Sequence, residues 1–317
     1  MRLVTSDEYL EYVKSHGEVV VEGARIRIGG PHRVEAYQPS GFSLEATTVW
    51  SFPDRGCWAT HRGNYRGNWA PQVARNVILR YSRPGELVLD QMCGGGTTLV
   101  ECRLLGRNAI GVDVNYEACI LTLDRLNFSY NSPDSDWREP EIRVYHGDAR
   151  SLDLIEDESV DLVATHPPYA NIIPYSKRRN ECDLSRVHSL EEYLEGMRKV
   201  AEESFRVLKP GRFCAILIGD TRRHRHYVPI AFRVMQQFLD AGFILREDII
   251  KCQWNVKESV KKWAGLAKTA EECWVEKPKG KRYWTDFLLI YHEHLFIFRK
   301  PEKNENFNKY KLSMKWW

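Results

Sequence analysis

A regular alternation of short apolar strands with amphipathic helices, starting near residue 71, constrains the fold of this chain more than any other feature. The predicted strands are 87–90, 109–113, 142–145, 160–165, 213–218, 244–252 and 295–299. The predicted helices are 73–81, 98–105, 116–128, 190–207 and 228–239. Strands and helices that alternate in this way form a mostly parallel sheet with helices on both faces. We therefore expect an α/β fold whose ligands bind at the carboxyl ends of the strands.

The first 60 residues do not follow this alternation. A helix is predicted over residues 6–16 and a strand over 19–28, and residues 40–70 are rich in Gly, Asn, Trp and Arg and should be irregular. We expect residues 1–60 to be a small α+β extension of a main domain over residues 61–300. Within that domain, residues 251–285 form a basic and aromatic insert, and residues 301–317 follow the domain as a basic tail.

Composition excludes several classes of protein. A hydrophobic fraction of 43% suits a globular core, and no apolar run is long enough for a membrane span. The N-terminus lacks the apolar stretch of a secretory signal, so we expect a cytoplasmic protein without a membrane partner. Lys+Arg 46 against Asp+Glu 43 gives a net charge of +3, which permits an anionic partner without requiring one.

Cysteine and histidine patterns give no indication of a metal. The eight cysteines contain no Cys-x-x-Cys pair, which favours scattered reduced thiols. His292 and His294 should share one face of a strand, but no third ligand is visible, so we predict no metal site.

A glycine-rich loop, Asp90–Thr98, joins the first predicted strand of the main domain to its helix. Gly94 and Gly96 allow the backbone to turn sharply and approach a ligand, and Thr97 opens the helix. The loop lacks the lysine of a phosphate-binding loop, and Leu99 stands where a dinucleotide fingerprint needs its last glycine. A nucleoside cofactor without a pyrophosphate remains, and S-adenosylmethionine fits.

Two further acids follow the next two strands. Asp113 lies 19 residues after Gly94 and can accept hydrogen bonds from both ribose hydroxyls. Asp148, followed by Ala149, can accept from the adenine amino group. Signals at three successive strand ends favour a cofactor site over three unrelated turns.

The fourth strand of the main domain runs into His166-Pro167-Pro168-Tyr169. Two successive prolines donate no backbone hydrogen bond and carry the chain away from the sheet in an extended arc. Backbone carbonyls there can accept from a planar amine, and Tyr169 can stack on its ring. This pattern favours direct methyl transfer to nitrogen, with much of the rate supplied by alignment.

The glycine loop followed by His-Pro-Pro-Tyr resembles the S-adenosylmethionine-dependent amino-methyltransferases that modify exocyclic nitrogens of nucleobases, in which this motif reads Asp/Asn/Ser-Pro-Pro-Tyr/Phe/Trp. The resemblance covers residues 60–300 and implies a Rossmann-like class I methyltransferase fold. It implies cofactor contacts at Asp90, Gly94, Gly96, Asp113 and Asp148, and places the target base at residues 166–169. It also implies that a segment near Asn68 approaches the methionine end of the cofactor.

His166 departs from the family pattern, because a carboxylate, amide or hydroxyl oxygen usually stands there. Neutral imidazole accepts a hydrogen bond through one nitrogen, whereas protonated imidazole does not. We expect activity to fall as the pH drops through the pKa of His166, and a flat profile from pH 5.5 to 8.5 with binding saturated would count against His166 as an acceptor. In the family, an uncharged serine accompanies cytosine N4 and Asp or Asn accompanies adenine N6, so the resemblance favours cytosine N4 here.

Substrate contacts are predicted beyond the motif. Asn171 and Tyr175 should lie on a loop over the pocket, and Asp220 follows the fifth strand at the same edge. Basic clusters at 177–179 and 222–226, together with the aromatic insert, suit phosphates and unstacked bases. The small recognition region slightly favours structured RNA, such as ribosomal RNA, over DNA.

Other substrates and roles stay open. The DNA alternative is methylation of cytosine N4 or adenine N6. A protein glutamine amide is a second substrate class, because related enzymes with Asn-Pro-Pro-Tyr methylate it. A catalytically silent RNA-binding protein is a third possibility, given His166. The sequence does not indicate the oligomeric state.

Overall fold

A computed structural model describes most of the chain. Its described residues are 1–21, 23–65, 67–168, 183–184, 187, 189–254, 274–277, 281–284 and 287–314. Fifteen strands occur in this part of the chain. They are β1 Arg2–Val4, β2 Glu18–Val21, β3 Ala24–Arg27, β4 Val49–Trp50, β5 Leu87–Asp90, β6 Asn108–Asp113, β7 Ile142–His146, β8 Val160–Thr165, β9 Leu208–Ile218, β10 Thr221–Arg223, β11 His226–Val228, β12 Ile244–Cys252, β13 Trp274–Lys277, β14 Lys281–Trp284 and β15 His292–Arg299.

Six α-helices accompany the strands in the described residues. They are α1 Ser6–Ser15, α2 Pro71–Tyr81, α3 Thr97–Leu104, α4 Tyr116–Leu126, α5 Leu190–Val207 and α6 Ile230–Asp240, and a 3-10 helix follows at Phe307–Ser313. Side-chain caps begin three of them: Thr5 accepts from the Glu8 N–H at α1, Asn115 from Glu117 at α4, and Ser189 from Glu192 at α5. Pro71 fits the first turn of α2, where its missing N–H has no partner to lose.

Nine strands form one sheet in the order β1-β7-β6-β5-β8-β9-β15-β12-β4. β5 to β9 pair in parallel, while β1 and β15 run against their neighbours. One apolar layer packs α1 to α4 on one face, through residues such as Val77 and Leu99. The other layer packs α5 and α6, through Met197 and Phe238. The predicted α/β, Rossmann-like fold class is confirmed.

The N-terminal 50 residues contact both edges of this sheet. β1 pairs antiparallel with β7 at one edge, and β4 pairs parallel with β12 at the other. Both edge strands are short, and a short edge strand offers little to a foreign strand. The 1–60 boundary itself stays a prediction.

Two local predictions need correction. The strand predicted over residues 19–28 is the hairpin β2–β3, because Gly23 adopts a φ of +80° and reverses the chain. Residues 221–228, which the helix prediction overlapped at Val228, form the hairpin β10–β11 before α6 begins at Ile230. His224 and Arg225 make its turn with left-handed φ values of 49° and 72°, a conformation that sequence patterns rarely assign to such residues.

In the described residues, no helix combines the length and apolar character needed to cross a membrane. The same residues contain no cluster of three or more His, Cys, Asp or Glu side chains placed to hold a metal ion.

Candidate cofactor and substrate site

One cavity lies at the carboxyl ends of β5, β6, β7 and β8. Its described lining includes residues 67–69, 90–94, 113–115 and 148–149, together with His166 and Pro168. The glycine loop and the start of the His-Pro-Pro motif therefore face the same space. This is the juxtaposition on which every chemical prediction from the sequence depended.

The glycine loop is shaped by close contacts that no larger residue would allow. Gly94 has a φ of +52°, and a Cβ there would lie 2.9 Å from the Tyr65 ring. Gly96 has a φ of +78° and caps α3, and a Cβ there would lie 2.8 Å from the Thr122 side chain. The Gly94 N–H donates to Asp113 at 2.8 Å, which ties the loop to the end of β6.

Asp90 and Asp113 are the two buried carboxylates of this loop region. Burial raises the pKa of each to about 6, and hydrogen bonds oppose the shift. Asp90 accepts from Thr98 and Thr165, and Asp113 accepts from the Gly94 and Asn115 N–H groups. Each carboxylate is therefore held in one orientation.

Asp148 and Ala149 line the cavity at the end of β7, as predicted. Both Asp148 carboxylate oxygens accept from the Arg150 guanidinium, at 2.7 to 3.0 Å. Asp148 therefore enters the site as half of an ion pair, which the sequence did not indicate.

Asn68 also lines the cavity, and its side-chain amide lies 2.6 Å from the Thr97 hydroxyl. Gly96 and Thr97 are not among the described lining residues; Gly96 caps α3, and Thr97, its first residue, contacts Asn68. The predicted cofactor residues thus divide into a lining group and a supporting group.

The residues present fit a nucleoside cofactor. Asp113 is an acceptor for hydroxyl hydrogens, the glycine backbone allows close approach, and Tyr65 and Trp69 add apolar wall. In the described lining, no lysine or arginine is placed to bind a pyrophosphate. The donor and acceptor set agrees with S-adenosylmethionine, the cofactor predicted from the loop.

His166 lies at the end of β8 with its side chain only 10% exposed. Its ring lies 6.3 Å from the Trp69 ring, and its Nε2 lies 3.9 Å from Glu293 Oε1. Burial lowers the pKa of His166 to about 4, and the Glu293 carboxylate opposes that shift. The imidazole is therefore neutral at physiological pH.

This pKa corrects the pH range predicted from the sequence. An exposed histidine would titrate between 5.5 and 8.5, whereas His166 titrates well below that range because its charged form is desolvated. Its role as an acceptor is then compatible with a flat activity profile between pH 5.5 and 8.5.

The two prolines leave the sheet as predicted. Pro167 is buried, Pro168 lines the cavity, and the Pro168 carbonyl accepts from the Tyr193 hydroxyl at 2.8 Å. Tyr193 belongs to α5, so the helix after the motif holds the bend in place. Tyr169, Asn171 and Tyr175 lie outside the described residues, and their predicted roles stay predictions.

Asp220 is placed differently from the other predicted contacts. Its carboxylate accepts from the Ala231 N–H at the start of α6 and from the Tyr227 hydroxyl. His294 Nε2 lies 3.7 Å away, and the Asp220 side chain is almost fully buried. Asp220 does not belong to the described cavity lining, and its contacts give it a structural role at the start of α6.

Sequence reasoning missed two charged residues next to His166. Glu293 is flanked by the two histidines that were considered for metal binding, and Lys251 is the residue before the last of β12. Their side chains form an ion pair of 2.8 Å, Lys251 Nζ to Glu293 Oε2. Alternation along β15 could have placed Glu293 on the face opposite His292 and His294, but no sequence signal points to His166 as its neighbour.

Residues 221–228, which we call the cationic hairpin, form a surface beside the site. Arg223, His224, Arg225 and His226 are exposed at its tip. The Arg222 guanidinium lies 5.6 Å from the Tyr227 ring and 5.5 Å from the Phe287 ring. Since β9 pairs with β8 up to Ile216 and Thr165, this hairpin begins next to the His-Pro-Pro bend.

Comparison with known proteins bears on this site. The chain matches the sequence model of a family described as DNA methylase over residues 10–124 and 160–316. A tRNA (guanine(10)-N2)-dimethyltransferase of Methanothermobacter thermautotrophicus is 34% identical over 33% of this chain and 29% of its own length. The type II methyltransferase M.BglII of Bacillus subtilis is 30% identical over 59% of this chain and 47% of its own. The chain thus spans less than half the length of these relatives.

Two further chains of known structure are similar to this one. A SAM-dependent methyltransferase of Methanosarcina mazei has a TM-score of 0.45 at 16% identity, over 72% of this chain and 98% of that one. A chain of Thermus thermophilus described as a DNA modification methylase has a TM-score of 0.33 at 23% identity, over 50% of this chain and 53% of that one.

Proposed function

The chain belongs to the DNA methylase family, a family of S-adenosylmethionine-dependent amino-methyltransferases, and we propose that it methylates the exocyclic amino group of a nucleobase in nucleic acid. The observation that carries this proposal is the single cavity shared by the glycine loop and the His-Pro-Pro bend. A cofactor on the loop and an amine at the bend would meet there.

The cavity has two halves, a cofactor half at the glycine loop and a reacting half at the His-Pro-Pro bend. Asp113, the glycine loop and Asn68 bind and orient the cofactor, which supplies an electrophilic methyl group when bound. His166 and the backbone at the prolines hold the target amine, and their acceptors favour a pyramidal nitrogen with its lone pair directed at the methyl. Alignment of this kind supplies roughly 7–11 kcal/mol.

We propose cytosine N4 as the target atom. His166 supports this choice because it is neither the Asp nor the Asn with which adenine-specific members open the motif, and a neutral imidazole, like the serine of cytosine-specific members, carries no charge. The tRNA guanine-N2 enzyme among the relatives makes a third amine, guanine N2, a necessary comparison in any test.

The cationic hairpin supports a nucleic-acid substrate. Its exposed tip carries two arginines and two histidines without an acidic residue between them. The left-handed turn residues His224 and Arg225 cost about 1–2 kcal/mol each, a strain that is often retained for function. We propose that this surface contacts the phosphate backbone beside the target base, and that residues 251–285 add further contacts in a cytoplasmic enzyme.

RNA and DNA are both supported by relatives. The family description and the type II methyltransferase favour DNA, while the tRNA enzyme favours RNA. The small recognition region predicted from the sequence favours structured RNA, because an unpaired base avoids much of the cost of flipping. We propose structured RNA first and DNA second.

Tritiated methyl transfer tests the proposal. The chain is incubated with labelled cofactor and total RNA, genomic DNA or protein extract, and labelled nucleosides are identified by mass spectrometry. We expect label in RNA as N4-methylcytidine, and we expect His166→Ala to bind S-adenosylhomocysteine normally while losing about 10²-fold in transfer rate. Label confined to protein would favour glutamine methylation, and absent cofactor binding would favour a silent RNA-binding protein; each result contradicts the proposal.

A further inference from the structure

The ion pair between Lys251 and Glu293 is buried at the reacting edge of the sheet. The two side chains are 15% and 6% exposed. The residues are direct partners in the antiparallel ladder of β12 and β15, so the backbone register fixes their approach. Burying two charges is costly, and apolar replacements of such pairs are often neutral or stabilising. The contribution of this ion pair to the stability of the fold therefore does not explain its presence.

The second carboxylate oxygen of Glu293 faces His166. Oε2 receives Lys251, and Oε1 lies 3.9 Å from His166 Nε2. Alternation along β15 sends His294 to the α6 side of the sheet, where it pairs with Asp248 at 3.0 Å, and sends Glu293 to the side that carries Trp69 and His166. The His166 ring is thus bordered by Trp69 and Glu293.

Lys251 and Glu293 have opposite effects on the pKa of the His166 imidazole. Among the described residues, the charged groups that act on His166 are Glu293 from β15, Lys251 from β12 and Arg55 from the segment before α2. Glu293 alone would attract a proton to the imidazole, and Lys251 opposes that effect. The backbone of Gly67 makes a hydrogen bond to the ring, which also favours the charged form.

Building on the proposed function, we propose that Lys251 and Glu293 are positioning residues for the target amine. Glu293 fixes the orientation of the His166 imidazole, and Lys251 neutralises Glu293 so that the ring remains an uncharged acceptor. Without Lys251, the Glu293 carboxylate would raise the pKa of His166, so that the ring would take up a proton and stop accepting at a higher pH than in the wild type. Without Glu293, the ring would keep its charge state but lose its orientation.

Three variants separate charge from orientation. Lys251→Met removes the cation, Glu293→Gln removes the anion while keeping a polar side chain, and the double variant removes both. We follow the imidazole of His166 by NMR, assigning its signal among the ten histidines by its loss in His166→Asn. This titration requires no methyl transfer, so it reports on the pair even if the proposed reaction is wrong.

We expect Lys251→Met to move the midpoint of the His166 titration up by about 1–3 pH units, and the double variant to return it toward the wild-type value. The acid limit of kcat should move with it. Glu293→Gln should lower kcat between about 10- and 100-fold with unchanged affinity for S-adenosylhomocysteine. Lys251→Arg keeps the cation and should keep the wild-type titration.

Lys209→Met is the matched control, because Lys209 makes an equally short ion pair of 2.8 Å with Asp161 near the other end of β8. It should leave the His166 titration unchanged. The proposal is overturned if Lys251→Met leaves that titration in place, or if the variants lose kcat only in proportion to their loss of thermal stability. Should Lys251→Met fail to fold, the double variant and Glu293→Gln still decide the question through kcat and the titration.

Discussion

The two halves of the cavity solve the same electrostatic problem in different ways. The cofactor half buries Asp90 and Asp113, and burial raises the pKa of each to about 6. The reacting half buries His166, and burial lowers its pKa to about 4. Both shifts favour the uncharged form. In the reacting half, however, the charge of Glu293 next to the imidazole is neutralised by Lys251. The cofactor half instead keeps two carboxylates, Asp90 and Asp113, near one another.

Under the proposed function, we expect a bound cofactor to complete the cofactor half, whereas the protein alone completes the reacting half. Hydroxyl donors on a bound cofactor would stabilise the ionised form of Asp113, while His166 is neutral before any substrate arrives. Perturbations of the two halves should therefore have separable effects on cofactor affinity and on transfer rate.

The largest effect is expected from Gly94→Ala in the cofactor half. The new Cβ would lie 2.9 Å from the buried Tyr65 ring and would disturb the N–H that donates to Asp113. We expect a loss of about 100-fold in affinity for S-adenosylhomocysteine, measured by calorimetry.

Gly85→Ala is the control for backbone strain. Gly85 has a φ of +82°, and a Cβ there would meet no atom within 4 Å. It should share the conformational cost of about 1 kcal/mol but leave cofactor affinity unchanged. Equal losses in the two variants would show that strain, and not shape complementarity, controls the loop.

An intermediate effect is expected from pH, because the halves titrate separately. Cofactor affinity should weaken below about pH 6, by up to tenfold per pH unit for each coupled carboxylate, as Asp90 and Asp113 take up protons. At saturating cofactor, kcat should stay flat between pH 5.5 and 8.5 and fall toward pH 4 as His166 becomes charged. Calorimetry and initial rates over the same buffers measure both.

The buried aspartates and His166 also change the stability of the cofactor-free protein with pH, and they do so in opposite directions. The folded pKa of each aspartate exceeds its ordinary value of 3.8, so their contribution is lost as pH rises toward 6. The folded pKa of His166 is below its ordinary value of 6.5, so its contribution to stability is lost as pH falls from 6.5 through about 4.

The kcat profile also tests whether the two halves are separate. A fall in kcat that follows cofactor affinity near pH 6 would contradict their separation.

The smallest effect is expected at the cationic hairpin, which lies beside the reacting half of the cavity. Arg223→Ala and Arg225→Ala should each lower the slope of log affinity for nucleic acid against log salt by up to about 0.9, the value for one phosphate contact. Affinity for S-adenosylhomocysteine should not change. Fluorescence anisotropy with labelled RNA and DNA at several salt concentrations measures the slope, and an unchanged slope in both variants would remove the hairpin from the substrate interface.

The cofactor half was largely predictable from sequence because it is built from consecutive elements. Asp90, Gly94 and Asp113 follow parallel strands that neighbour one another in the sheet, so their order along the chain gives their proximity. The Asp148–Arg150 ion pair was not predictable, since charges two residues apart after a strand have many possible arrangements.

The reacting half was less predictable because it gathers residues from distant strands. His166 and Glu293 are 127 positions apart, and their strands are separated in the sheet by β9. Asp220 was placed at the correct edge, but its carboxylate faces the start of α6, a choice decided by the local turn rather than by strand order. Antiparallel β15 breaks the rule that strand ends share an edge, so the residues of interest lie at its beginning.

The ladder between β12 and β15 also fixes where the chain leaves the sheet after Cys252 and returns to it at His292. Lys251 and Glu293 close the two ends of a chain segment, 253–291, whose exit and re-entry are fixed by cross-strand pairing. The approach of Lys251 to Glu293 is set by the register of the two strands and not by the segment between them. A change within residues 253–291 would therefore enter the chain between two ends that the sheet holds in place, while the pairing of Lys251 with Glu293 is kept.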